Sequence, residues 1–139
     1  MYRLEDFAQP FNAIKLFEKE LARFTGAKYC IATDSCTHAI ELAFRVQPDY
    51  KKVKFTAYTY LSVLMTMHQL NIDYDLLDKK WNNEYQFEGT NIWDSARRLE
   101  SNMYREGMIQ CCSFGRTKPL EIGIGGCILL DDGYLAQIL

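Results

Sequence analysis

The stretch SFGRTKPLEIGIGG, residues 113–126, sets a single lysine, Lys118, between two apolar runs at 108–114 and 127–130. Runs this short and this apolar read as buried strands. A lysine at the mouth of two buried strands is partly desolvated. Desolvation favours the free amine, which is the form a nitrogen nucleophile needs. Pro119 biases Lys118 away from helix and toward an extended or turn conformation, which suits a loop-borne side chain aimed at a ligand. The local pattern alone also fits, and better, a surface lysine in a strand connection, because lysines are mostly exposed. The choice depends on what the rest of the chain brings to the same place.

Working outward, strand-like and helix-like segments alternate. Residues 12–25 carry Ile14, Phe17, Leu21 and Phe24 at helical spacing, and Gly26 follows as a stop. Residues 28–33 are short and apolar, a strand. Residues 37–46 are helical, with Ser35 or Thr37 as N-cap, and Pro48 ends them. A strand at 52–57, a helix at 60–70 and a strand at 73–77 follow. The helix at 60–70 places Leu61, Leu64, Met65 and His68 on one face, and His68 reads there as a satisfied core histidine. Residues 79–89 are polar and loop-like, with one helical turn expected around Trp81. A short strand at 91–94 ends on Asp94. Residues 102–105 and 108–114 are expected to pair as a hairpin across Glu106-Gly107. A last strand spans 126–130.

This alternation predicts an α/β fold, three-layer α/β/α, built from βαβ units around a mostly parallel sheet. Such sheets bind ligands at the carboxyl ends of their strands. The groups just after the expected strands are Asp34 to Thr37, Tyr58 to Tyr60, Asp94 to Arg97 and Gly115 to Lys118. All four are expected at one edge.

Composition narrows the function. The chain has 139 residues, 48% hydrophobic and 14% aromatic, which suits one domain with a real core. Its net charge of −2, without a basic patch, argues against a nucleic-acid partner. No segment approaches the roughly 18 apolar residues of a membrane span. The stretch MYRLEDFAQP is acidic and polar, so no secretory leader is expected. The five cysteines form no CxxC pair, and with two histidines a zinc site is not expected. Reduced, buried thiols in a cytoplasmic protein fit this usage.

Together the four groups suit a flat, phosphorylated heteroaromatic aldehyde. Ser35 and Thr37 open a helix, whose free N–H groups and dipole favour a phosphate; each also serves simply as a cap. Tyr60 is placed to stack on an aromatic ring or to line the rim. Asp94 is placed either to pair with a protonated ring nitrogen or to cap the next turn. Lys118 supplies the amine that condenses with the aldehyde.

At these residues the chain resembles the DegT/DnrJ/EryC1/StrS sugar aminotransferases, which use pyridoxal phosphate. The resemblance runs from about Phe17 to Asp132. FEKELARFTGAKYCIATDSCTHAIELAF resembles the family's first helix, strand and phosphate-binding helix, with its Asn-Ser-Gly-Thr appearing as Asp34-Ser35-Cys36-Thr37. FTAYTYLSVLM resembles the strand and turn that deliver the stacking aromatic, here Tyr60. WDSAR resembles Glu-Asp-Ala-Ala-Gln, which gives Asp94 the ring-nitrogen role and sets Arg97 at the ring oxygen. SFGRTKPLEIGIGGCILLDD resembles the most specific segment and implies Ser113 at the phosphate and Lys118 at the cofactor aldehyde.

The resemblance implies a sheet of the aspartate-aminotransferase large-domain type. Residues 1–139 are expected to form a single cofactor-binding large domain, truncated, without the C-terminal small domain and one inner element. It implies amino transfer to a nucleotide-linked keto sugar from a donor such as glutamate, in a homodimer. Cys36 stands where the family has a glycine, and is tolerable only with negative φ. Arg97 replaces a glutamine or histidine and brings a permanent charge. About a dozen polar residues between Asp78 and Asn91 replace a helix, strand and loop. An inactive relative serving as a binding or assembly module is the alternative; an unrelated α/β phosphate-binding domain ranks last, for want of a P-loop or GxGxxG.

Overall fold

Gly26 ends the first helix by taking a left-handed conformation, φ 79°, from which its N–H donates to Ala22 O. The computed structural model describes residues 3, 5, 8, 9, 11–50 and 52–139; the reading of residues 1–10 as a non-leader falls largely outside these. The order is α1 (Asn12–Thr25), β1 (Tyr29–Thr33), α2 (Cys36–Val46), β2 (Lys52–Thr56), α3 (Leu61–Gln69), β3 (Asp73–Leu77), β4 (Tyr85–Gln86), β5 (Ile92–Asp94), β6 (Ile109–Ser113), β7 (Gly126–Leu130) and α4 (Gly133–Ile138). Ser35, not Thr37, caps α2, accepting from His38 N at 3.2 Å.

The fold is α/β, but its sheet is mixed rather than mostly parallel. One sheet has the order β1-β7-β6-β5-β4, and β2-β3 form a parallel pair. In the larger sheet β5–β6 is the parallel pairing; β1–β7, β6–β7 and β4–β5 are antiparallel. Chain length explains the difference. A parallel return needs a crossover of about a dozen residues or more, usually a helix. Between Leu77 and Tyr85 the chain is too short for one, and the link from β6 to β7 has no helix. Both strands therefore run back against their neighbours. A bridge between Lys54 and Glu88 joins β2 to the β4 segment, again antiparallel.

These pairings still align most strands. Taking β6 as reference, β1, β2, β3 and β5 run with it, while β4 and β7 run opposite. The carboxyl ends that carry the expected polar groups thus lie along one edge.

Both sheet faces are covered, which accounts for the apolar run of β7 and for the burial of Ile109 to Cys112 in β6. On one face α2 covers Ile109, Cys111, Ile128 and Leu130, and α3 packs beside it. On the other, Leu21 of α1 packs with Cys112, Phe114, Cys127 and Leu129. The segment 79–89 is not a polar loop. Phe87 is fully buried, with its ring 5.1 Å from Phe44 and 5.2 Å from Phe55. Trp81 is non-helical and packs on Tyr85, while Trp93 lies under the Arg105 guanidinium.

Two further expectations fail. Residues 102–105 form no hairpin with β6, because their donors are used elsewhere: Asn102 N and Tyr104 N bond to Phe24 O and Thr25 O at the end of α1. His68 is exposed, as are Leu61 (66%) and Met65 (64%), while Val63, Thr66 and Met67 are buried. In LSVLMTMHQ the five apolar residues spread over more than half of the helix circumference, so periodicity does not select one narrow face; packing against α2 and β3 does. No helix among the described residues is long and apolar enough to cross a membrane.

Gly126 is where β7 meets the start of α2. A Cβ there would lie 2.6 Å from Cys36 N and 2.7 Å from Cys112 O. We predict that Gly126→Ala destabilises the fold by about 3 kcal/mol in denaturant unfolding. Gly107→Ala, with open space but φ 78°, should cost about 1 kcal/mol. Equal effects would contradict the close approach.

Candidate functional site

A cavity of about 480 Å³ opens at the shared strand edge, and Ser35, Cys36, Thr37, Tyr60, Asp94, Arg97, Ser113 and Lys118 all line it. A larger, shallower groove of about 780 Å³ lies between α1 and α4. None of the expected site residues reaches it. The smaller cavity is the candidate site, because a buried carboxylate, a helix N-terminus and a lysine converge on it.

The N-terminus of α2 forms one wall. Cys36 takes the first helical position and is not among the positive-φ residues, so its side chain is accommodated without backbone strain. Its thiol lies 3.9 Å from Asp94 Oδ1 and 3.5 Å from Cys111 O, and burial pushes its pKa well above the ordinary thiol value. Thr37 Oγ1 meets Ser62 Oγ at 2.7 Å, which ties α2 to α3. Ser113, half-buried at the end of β6, accepts from Gly115 N at 3.4 Å.

Asp94 lies at the end of β5 and is 4% exposed. Its Oδ2 accepts from the Tyr85 hydroxyl at 2.7 Å and its Oδ1 from Ala96 N at 2.9 Å. All its hydrogen-bond donors among the described residues are formally neutral. Burial raises the Asp94 pKa above the ordinary value; Tyr85, Ala96, Lys118 and Arg97 act the other way, but burial prevails.

Lys118 is half-buried in the loop after β6. Its N–H donates to Gly115 O at 3.3 Å, and its base is closed by Ile122 N and Gly123 N, both donating to Phe114 O. Thr117, just before it, has φ 70°. A β-branched residue in that region is strained and persists only where its surroundings over-determine it. No carboxylate among the described residues lies within salt-bridge distance of Lys118. Arg97 is exposed, with its guanidinium 4.4 Å from the Trp81 ring centroid. Tyr60 is at the mouth and 79% exposed.

Sequence reasoning missed Trp81 and Ser62, which line this cavity, and Tyr85, which reaches it through Asp94. The alternation Tyr85-Gln86-Phe87 was a two-residue-period signal, too short to stand out among polar neighbours. What anchors it is Glu84, whose carboxylate accepts from Arg98, Arg105, Ser95 and Gln110. Burial opposes its charge, yet Arg105, Ser95 and Arg98 hold its pKa below the ordinary value.

The model of the DegT/DnrJ/EryC1/StrS aminotransferase family matches residues 4–83, more than half of the chain. The chain belongs to that family. Solved structures extend the likeness past the matched stretch. An aminotransferase of this family from Brucella abortus is 15% identical with a TM-score of 0.72, covering 94% of this chain and 48% of its own. For 3-amino-5-hydroxybenzoic acid synthase the figures are 20%, 0.66, 86% and 43%. For DesI, solved in the presence of its TDP-sugar product, they are 14%, 0.69, 89% and 42%. At such identities these likenesses carry the fold alone. The chain spans less than half the length of each of the three. No curated protein matches it.

Because the folded state raises the Asp94 pKa, it binds that proton more tightly than the unfolded chain does. The resulting stabilisation is full below about pH 3.8 and is lost as pH rises through the folded value. Asp94→Asn should therefore raise the melting temperature at neutral pH, with the gain fading toward acid. A variant that melts lower at neutral pH would contradict this.

Proposed function

We propose that this chain binds pyridoxal 5'-phosphate in the cavity lined by Asp94 and Lys118. We further propose that it serves amino transfer to a nucleotide-linked keto sugar from an amino-acid donor such as glutamate. The observation that carries the reading is Asp94: a nearly fully buried carboxylate with neutral donors, facing a cavity that also holds a lysine and a helix N-terminus. A protonated ring nitrogen would supply the missing cation. The donor set also suits the phosphate, since Ser35, Thr37 and Ser113 cluster at the start of α2. The residues present therefore fit the group.

Bound there, pyridoxal phosphate supplies an aldehyde that condenses with amines and a ring that takes up electrons. Lys118 Nζ is the amine for that aldehyde. With the cofactor bound, its free amine would serve as the base that takes a proton from the substrate carbon and as the acid that gives one back. Asp94 would pair with the protonated ring nitrogen. The α2 N-terminus with Cys36, Thr37 and Ser113 orients the phosphate. Tyr60 would stack on the ring, and Arg97, braced by Trp81, would donate to the ring oxygen. The TDP-sugar named for DesI supports the nucleotide-sugar class. Tyr58, Tyr60, Leu61, Met65 and Ile124 are exposed, most of them around the mouth. That apolar rim supports a homodimer in which a second copy closes the site.

The test is the visible absorbance of the purified chain with added pyridoxal phosphate. A yellow complex is expected, and Lys118→Ala should abolish its band and lower turnover by about 10³-fold or more. Glutamate should then bleach the colour as the amine form appears. A colourless chain that takes up no cofactor would sink the reading; a yellow one indifferent to every donor would retain binding and refute transfer.

A further inference from the structure

Tyr85 and Asp94 are direct partners in the antiparallel pairing of β4 with β5. Residues opposite one another in such a pair project to the same side of the sheet. The Tyr85 hydroxyl reaches Asp94 Oδ2 at 2.7 Å and Thr59 Oγ1 at 2.6 Å. A phenol has one proton to give. A carboxylate can only accept, so that proton goes to Asp94 and the Thr59 hydroxyl donates to Tyr85. A directed line thus runs from Thr59, after β2, through Tyr85 to Asp94. The remaining oxygen, Oδ1, is held by Ala96 N–H and the Cys36 thiol.

We propose that Tyr85 is a positioning residue for Asp94: its hydroxyl, oriented by Thr59, fixes the buried carboxylate and favours its charged form. The proposal rests on the cofactor reading only for what that carboxylate serves.

The surroundings are built to hold Tyr85 still. Its ring packs edge-on against Trp81 at 4.9 Å and Phe87 at 5.4 Å. Glu84, one residue before, is pinned by Arg98 and Arg105. Two residues after, Phe87 is buried in the core. The turn that returns the chain to β5 is closed by Thr90, whose hydroxyl donates to Phe87 O and accepts from Ile92 N. Tyr85 is therefore clamped on both sides, in a segment the sequence presents as a polar connection. Its phenol is itself held neutral, because burial and the Asp94 charge both push its pKa up.

The groups facing Asp94 come from every neighbouring element: Tyr85 from β4, Cys36 from α2, Cys111 from β6, Arg97 just after β5, and Lys118 from the loop. Lys118 and Arg97 act on Asp94 at a distance, and burial holds the two thiols neutral. Of the side chains in hydrogen-bond contact, the Tyr85 hydroxyl is the strong donor, since a thiol donates weakly. Removing it leaves Oδ2 buried without its partner, which disfavours the charged form.

The test uses the full chain with aspartate labelled with ¹³C at its carboxyl carbon, Asp94 assigned by loss of its signal in Asp94→Asn. The Asp94 midpoint is read by NMR across pH in wild type, Tyr85→Phe and Thr59→Val. Phenylalanine keeps the ring contacts and deletes the hydroxyl alone. The midpoint should move to higher pH in Tyr85→Phe and, by less, in Thr59→Val. An unmoved midpoint in a Tyr85→Phe variant with wild-type circular dichroism overturns the proposal. If that variant does not fold, Thr59→Val carries the same test, and an unmoved midpoint there overturns it. A second arm titrates pyridoxal phosphate by absorbance. Binding should weaken about tenfold in Tyr85→Phe, with its pH dependence displaced the same way. If wild type takes up no cofactor, the functional reading fails by itself, while the NMR arm still decides what Tyr85 does to Asp94.

Discussion

The backbone of β7 lies against the first turn of α2 with no room for a side chain. At Gly126 a single carbon would meet Cys36 N, Cys112 O and Ser35 C at under 2.8 Å. Everything at the site depends on this approach. It sets β7 between β1 and β6, so that the ends of those two strands emerge on either side of one glycine. Thr33 and Ser35 then open α2 beside Ser113, and the lysine loop closes over Phe114 next to both. A β-carbon here would part the helix N-terminus from the loop.

Ligand sites in α/β sheets depend on the direction of strands more than on which strands touch. The antiparallel β7 and β4 interrupt the parallel pairing, yet they leave the carboxyl ends of β1, β2, β3, β5 and β6 on one edge. The cavity forms there because direction survives the interruption.

The segment 79–89 shows how a short connection does the work of a longer one. It has no length for a crossover, so it folds back as a two-residue strand and fills its place with aromatic rings. The same rings reach the site: Tyr85 meets Asp94, and Trp81 braces Arg97. Burying the Asp94 carboxyl costs stability at neutral pH, which is a common feature of sites kept for function rather than for the fold.

Helices, strands and their breaks were legible in the sequence, because periodicity, Gly26, Pro48 and the apolar runs are local signals. So was the gathering of Ser35, Cys36, Thr37, Tyr60, Asp94, Arg97, Ser113 and Lys118 around one cavity, because they follow strand ends that share an edge. Pairing direction was not, since it depends on whether a connection is long enough to cross the sheet, as at residues 78–84 and 114–125. The buried face of α3 was not either, because its apolar residues spread over more than half of the helix and packing takes only part of that arc; His68 was misread for that reason. Tyr85 lay in a stretch whose polar residues hide two inward rings. The sequence by itself determined the elements and the chemistry at their ends, through contacts between near neighbours. The tertiary structure alone decided which distant residues share a site, because the hydrogen bonds from Thr59 to Tyr85 and from Tyr85 to Asp94 exist only once β4 folds back against β5.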